Sequence, residues 1–163
     1  MGIGNDAYRE KNQVEVANAL ASVEDFSSAL EVTRGVKLGW HWGRAMAEIV
    51  VAQARAGQMS AARRTLATAL EAIPQMQYPD YALLEMAVAQ ARVGELESAH
   101  RSFDAALSIA REDPSTVFAR IAEAQARAGF GEDATKTADS IIEGRSRALS
   151  GIAEKLVSQE DRE

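Results

Sequence analysis

The hexapeptide Ala-Gln-Ala-Arg-Ala-Gly spans residues 52–57, recurs as Ala-Gln-Ala-Arg-Val-Gly at 89–94 and returns unchanged at 124–129. Its glycines, Gly57, Gly94 and Gly129, are 37 and 35 residues apart. A period of that length in helix-forming residues predicts a solenoid, because one helix pair cannot bury its own apolar face and lays it on the next. Apolar stripes at helical spacing precede each glycine: Met46, Ile49, Gln53 and Ala56, then Leu83, Met86, Gln90 and Val93, then Phe118, Ile121, Gln125 and Ala128. Each glycine is expected to close its helix in the left-handed conformation that glycine adopts without penalty.

A second helix is expected after each glycine. Its stripe reads Ala62, Leu66, Ala69 and Leu70, then Ala99, Phe103, Ala106 and Leu107, then Ala134, Ala138, Ile141 and Ile142. Pro74 and Asp113-Pro114 mark junctions, with Asp113 or Ser115 as the expected cap of the helix that follows. A degenerate earlier copy runs through Val16 to Leu20, Glu24, Phe26 and Ala29, with Ala29 offset by 33 from Ala62. Residues 148–157 read as one more first-type helix. The expected organisation is one domain over 1–158. Its repeats fall near 8–38, 41–75, 79–112 and 115–144, a capping helix covers 146–158, and 159–163 forms a frayed tail.

Composition narrows the function. The apolar fraction of 47% supports a core, and the net charge of -6 disfavours non-specific binding to nucleic acid. The absence of cysteine excludes disulfides and thiol chemistry. No apolar run approaches the roughly 20 residues that span a bilayer, and residues 1–13 lack an apolar signal core. The expectation is therefore a cytoplasmic protein without membrane insertion. His41 and His100 fall in different repeats and helix types, which gives no basis for a catalytic or metal site. No enzyme activity and no cofactor are expected.

Met46, Ile49, Val50, Gln53, Ala62, Leu66 and Pro74 occupy places that resemble the tetratricopeptide repeat, in which a bulky residue, a small Ala and a Pro recur at fixed spacing. Leu83, Met86, Ala87, Gln90, Ala99 and Phe103 repeat the pattern, as do Phe118, Ile121, Ala122, Gln125, Ala134 and Ala138. The resemblance covers roughly Val14 to Val157, with no Trp at the family's first place and Gln where the family has Tyr. It implies an all-α, right-handed solenoid of about four helix pairs. The first-helix face would then line a concave groove.

That face carries Trp40, Arg44, Glu48, Val51 and Arg55, then Tyr81, Glu85, Val88 and Arg92, then Thr116, Arg120, Glu123 and Arg127. Stacking would bring Arg55, Arg92 and Arg127 into a ladder of guanidinium groups suited to carboxylates. The competing reading ties these arginines to neighbouring glutamates, as Glu123 and Arg127 at i, i+4 invite. Trp40 is expected either at the groove lip or packed on the preceding loop, and Trp42 in the core. The buried glutamines are expected to pair with backbone at helix junctions. The expected function is a protein-interaction module for a peptide or partner helix, acidic by the arginine argument. The alternative is self-assembly of copies into a homo-oligomer.

Overall fold

The structure, a computed structural model, describes residues 3–110 and 114–142. Helices occupy Ile3–Ser22 (α1), Phe26–Thr33 (α2), Gly39–Arg55 (α3), Met59–Ala72 (α4), Pro79–Arg92 (α5), Leu96–Ile109 (α6), Pro114–Arg127 (α7) and 131–142 (α8). The fold is all-α. The described residues contain no strand, only an isolated parallel bridge between Leu38 and Gln77. The chain divides into two units, Met1–Ala110 and Arg111–Glu163. The capping helix expected over 146–158, the tail and Asp113 lie outside the described residues. Ser115 does not cap α7; it lies inside the helix, which starts at Pro114. Proline is well placed there because the first helical N–H needs no partner within the helix.

The repeated hexapeptide is a helix-closing device. Gly57, Gly94 and Gly129 have φ of 76°, 87° and 89°. Beyond α3, the Gly57 N–H donates to Ala54 O and the Gln58 N–H to Gln53 O, at 3.0 and 2.9 Å. The same two bonds recur at Gly94 and Glu95, and again at Gly129 and Phe130. This is the Schellman pattern, which satisfies carbonyls that a helix end leaves unpaired. The residue after the glycine also starts the next helix: Gln58 O accepts from Ala62 N, Glu95 O from Ala99 N and Phe130 O from Ala134 N. Ala62 and Ala99 are almost wholly buried, so a small side chain stands at each hairpin turn.

The first hairpin makes the same turn without glycine. Glu24 N donates to Ala21 O, Asp25 N donates to Leu20 O, and Glu24 holds φ of 61°. Asp25 Oδ1 accepts from the Ser28 N–H at 3.1 Å and caps α2. Those bonds hold the Asp25 carboxyl below its ordinary pKa, the Ser28 bonds being the main cause. A non-glycine residue in the left-handed region carries a Cβ penalty of about 1 kcal/mol. Glu24→Gly is therefore expected to stabilise the protein by about half a kcal/mol, the relief of that strain less the added chain entropy of glycine. An unchanged or lower denaturation midpoint would contradict this.

In the first unit α1 packs on α2 and α3, α3 on α4 and α5, and α5 on α6. One cluster joins α1, α2 and α3 through Ala21, Phe26, Ala29 and Ile49. A larger one joins α3, α4 and α5 through Trp42, Met46, Val50, Leu66, Ala82 and Met86. The start of α3 is pinned from two sides. The Gly39 N–H donates to Gln77 O at 2.7 Å, and Glu10 of α1 accepts from the Leu38 N–H at 3.0 Å. The uneven period has a local cause. A 3-10 turn at Ile73–Gln75 and an extended Met76 lengthen the α4–α5 link, and Tyr78 enters α5 at φ 58°.

The buried glutamines do not all turn to backbone. In the second unit Gln125 Oε1 accepts from the Thr137 hydroxyl of α8 at 2.8 Å. In the first unit Gln53 Oε1 and Gln90 Oε1 are buried with no hydrogen-bond partner. A hydroxyl stands twelve residues after each glutamine: Thr65, Ser102 and Thr137, all buried. In the first hairpin both places are apolar, Leu20 and Val32. The residue types recur at this spacing, polar in three copies and apolar in one, while the bond to the glutamine oxygen is made at Gln125 and not at Gln53 or Gln90. Thr137→Val is expected to cost about 1–3 kcal/mol by stranding a buried acceptor. Adding Gln125→Leu should recover most of that loss; a strictly additive double mutant by chemical denaturation would show the two side chains uncoupled.

Candidate functional site

The first-helix face in the first unit belongs to α3 and α5. Trp40, Arg44, Glu48, Val51 and Arg55 recur at steps of three and four along α3, and Tyr81, Glu85, Val88 and Arg92 along α5. Those spacings keep each set on one side of its helix.

One end of the face is aromatic. The Trp40 ring lies 4.8 Å from Tyr78 and 6.1 Å from Tyr81, and the two tyrosines are 6.4 Å apart. The His41 ring is 5.6 Å from Trp40. Trp40 is half-buried and Tyr78 is 37% exposed, so the cluster keeps aromatic surface in solvent. Trp40 thus packs on the α4–α5 loop and borders the face as well. Burial is the main cause that holds the His41 imidazole below its ordinary pKa; Glu10 opposes it, and Arg44 and Lys11 add to it. His41 is therefore neutral at neutral pH.

The backbones approach closely beneath this cluster. A Cβ on Gly39 would fall 2.3 Å from Tyr78 O and 2.4 Å from Gln77 O, and one on Gly43 would fall 2.9 Å from Ala82 Cα. Residues four apart on α3 are thus bare where α5 and its entry loop cross. This sets the aromatic rings of both elements against one another.

The other end of the face is cationic. Arg55 and Arg92 are the last residues of α3 and α5, where the helix dipole favours positive charge. Both line one pocket of about 300 Å³, with Val51, Ala54, Met59 and Val93. The Arg92 guanidinium donates to Glu48 Oε1 of α3 at 2.7 Å. Arg55 makes no ion pair among the described residues.

The structure sorts the sequence-expected residues. Val51 is 3% exposed, so it serves the core and the pocket floor and offers little free surface. It turns inward because it sits where α3 meets its neighbours in the larger cluster. Val88 and Glu85 are half-buried, and Arg44 is exposed. Arg92 is tied to Glu48, as the competing reading required. Arg127 is tied to Glu123 at 2.5 Å, and Arg120 and Glu123 are exposed on α7 in the second unit. Tyr78, Met59 and Val93 were not singled out as groove residues from sequence. Tyr78 was hidden because its place depends on a left-handed φ in a loop of irregular length.

Among the described residues no group of histidines and carboxylates is arranged to hold a metal ion, and no helix is long and apolar enough to cross a membrane. No protein-family model, curated protein or solved structure matches the chain.

Proposed function

We propose that this chain is a non-catalytic interaction module, a right-handed tetratricopeptide-like solenoid that binds an acidic peptide or partner helix along α3 and α5. The observation that carries this reading is the pocket at Arg55 and Arg92. It joins two guanidinium groups to a floor of Val51, Ala54, Met59 and Val93. A carboxylate beside an aliphatic side chain matches that lining, since guanidinium binds carboxylate through paired hydrogen bonds while the apolar part leaves water. Glu48 holds Arg92 in place by the ion pair, and it opposes ligands that carry excess negative charge there.

The aromatic cluster supplies the far end of the same face. Trp40 and Arg55 are fifteen residues apart on α3, roughly 22 Å at 1.5 Å per residue. A helical segment of about four turns, or an extended one of six or seven residues, spans that length. Aromatic anchors of this kind carry much of the energy in peptide recognition.

Selection of a displayed peptide library on the full chain tests the reading. Segments with an acidic residue next to an aliphatic one are expected to be enriched. Arg55→Ala is expected to weaken them about ten- to hundred-fold, the worth of a hydrogen bond to a charged group, and less so at high salt. Enriched peptides that bind Arg55→Ala and Arg92→Ala as well as the parent would remove the pocket from the reading.

A further inference from the structure

We infer that Met59 is a modification site. Oxidation of its thioether to the sulfoxide by hydrogen peroxide sets an acceptor oxygen in the pocket of Arg55 and Arg92 and closes that pocket to carboxylates. The consequence for binding rests on the peptide reading above; the oxidation itself does not.

The packing singles out this methionine. Among the described residues, Met46 and Met86 are buried in the cluster that joins α3, α4 and α5, and Met76 packs against that cluster. Met59 is half-buried at the start of α4 and lines the pocket with Arg55 and Arg92, both exposed. A thioether enclosed by apolar side chains is shielded from peroxide, whereas one on a pocket wall meets it. The repeat register shows that packing does not require sulfur there. Gly57 and Gly94 fix an offset of 37 residues, which sets Leu96 at the place of Met59 in the next hairpin. Met59→Leu is therefore compatible with the turn and serves as the variant that cannot be oxidised at this place.

The two guanidinium groups suit both the reaction and its product. A sulfur lone pair attacks one oxygen of hydrogen peroxide, the O–O bond breaks, and the other oxygen leaves as water after a proton shift. Sulfur loses two electrons and the peroxide gains them. The departing oxygen gathers negative charge as the bond stretches, and guanidinium N–H groups beside it stabilise that charge. The sulfoxide oxygen is then an acceptor among groups that are donors only. Arg55 makes no ion pair among the described residues, and Arg92 gives one nitrogen to Glu48. The new oxygen occupies donors that a ligand carboxylate needs, and it makes polar a floor that an aliphatic side chain would cover. Both changes weaken the same ligand. Enzymatic reduction of the sulfoxide restores the thioether.

Mass-spectrometric mapping of the full chain during exposure to hydrogen peroxide tests the site without any ligand. Met59 is expected to oxidise about ten-fold faster than Met46 and Met86, and ahead of Met76. Arg55→Ala should slow Met59 about three-fold and leave Met76 unchanged, an effect that exposure alone would not produce. A second arm measures the affinity of a library-selected acidic peptide for the full chain. Oxidation should weaken it about ten-fold, sulfoxide reductase should restore it, and peroxide-treated Met59→Leu should keep its affinity. Met59 that oxidises no faster than Met76, or at a rate indifferent to Arg55→Ala, would overturn the site. A peptide that depends on Arg55 yet binds the Met59 sulfoxide as tightly would overturn the regulation and leave the peptide reading intact. Peptides indifferent to Arg55→Ala in the unoxidised chain would remove the peptide reading and the regulation with it, while the mapping still decides the site.

Discussion

Trp42→Ala should lower the stability of the protein by about 4 kcal/mol, the range for removing a large aromatic side chain from a packed interior. Trp42 is 6% exposed and shares a cluster with Val36, Met46, Met86 and Ala82, which come from α3, α5 and the link into α3. No single neighbour can collapse into the space, because the residues around it belong to different elements held by their own turns. The neighbouring tryptophan should behave differently. Trp40 is half-buried against Tyr78 and Tyr81, so Trp40→Ala should cost less, about 2 kcal/mol, from the buried part of the ring and its aromatic pairs. Urea denaturation of the two variants separates them. Equal losses would mean that Trp40 holds the α3–α5 junction as firmly as Trp42 does.

The second large effect is expected at Gly39. Gly39→Ala should destabilise by about 3 kcal/mol, the upper part of the range for overpacking. The atoms that a new methyl would meet are the carbonyl oxygens of Tyr78 and Gln77, both under 2.5 Å away. Backbone oxygens cannot rotate aside as a side chain can. Relief requires α3 to move from the α4–α5 loop, which also breaks the Gly39 N–H to Gln77 O bond. Gly94→Ala provides the contrast. Its φ is 87°, yet nothing lies within 4 Å of the added carbon. Its cost is only the left-handed strain, about 1 kcal/mol. A Gly39 variant no less stable than the Gly94 variant would show that the close approach beneath the aromatic cluster is not as tight as described.

How far the chain is legible follows from which interactions are local. Gly57, Gly94 and Gly129 announce their helix ends because the Schellman turn needs only six consecutive residues and one positive φ. Ala62 and Ala99 could be assigned to the second-helix stripe by their spacing, while their place at the hairpin turn emerges from the bonds they make to Gln58 O and Glu95 O. Glu24 could be aligned with those glycines by spacing, but its left-handed φ opposes its residue type and emerges only from the turn's hydrogen bonds. The pairing of Gln125 with Thr137 was present as a recurring twelve-residue spacing. It was hidden because a buried amide can be satisfied by backbone or side chain, and only the packed hairpin decides between them. Arg92 has Val88 four residues before it, where Arg127 has Glu123, so no partner is offered by its own helix at that spacing. The structure joins it to Glu48 on α3, a choice set by how α3 and α5 pack rather than by spacing on one helix. Gly39 and Gly43 bracket the aromatic tripeptide in the sequence, yet their role depends on a loop that belongs to the next hairpin.

The central proposal is that α3 and α5 receive an acidic segment whose carboxylate lies between Arg55 and Arg92. The most direct measurement is titration of the isotope-labelled full chain with a peptide selected as described above, followed by NMR. The largest shifts are expected at the Arg55 and Arg92 side-chain resonances and the methyl groups of Val51, Met59 and Val93, with smaller ones at Trp40 and Tyr81. Those shifts should be lost in Arg55→Ala. Saturable binding that moves α6 resonances such as Leu96 and His100 instead, and leaves Arg55 and Arg92 unchanged, would contradict the proposal.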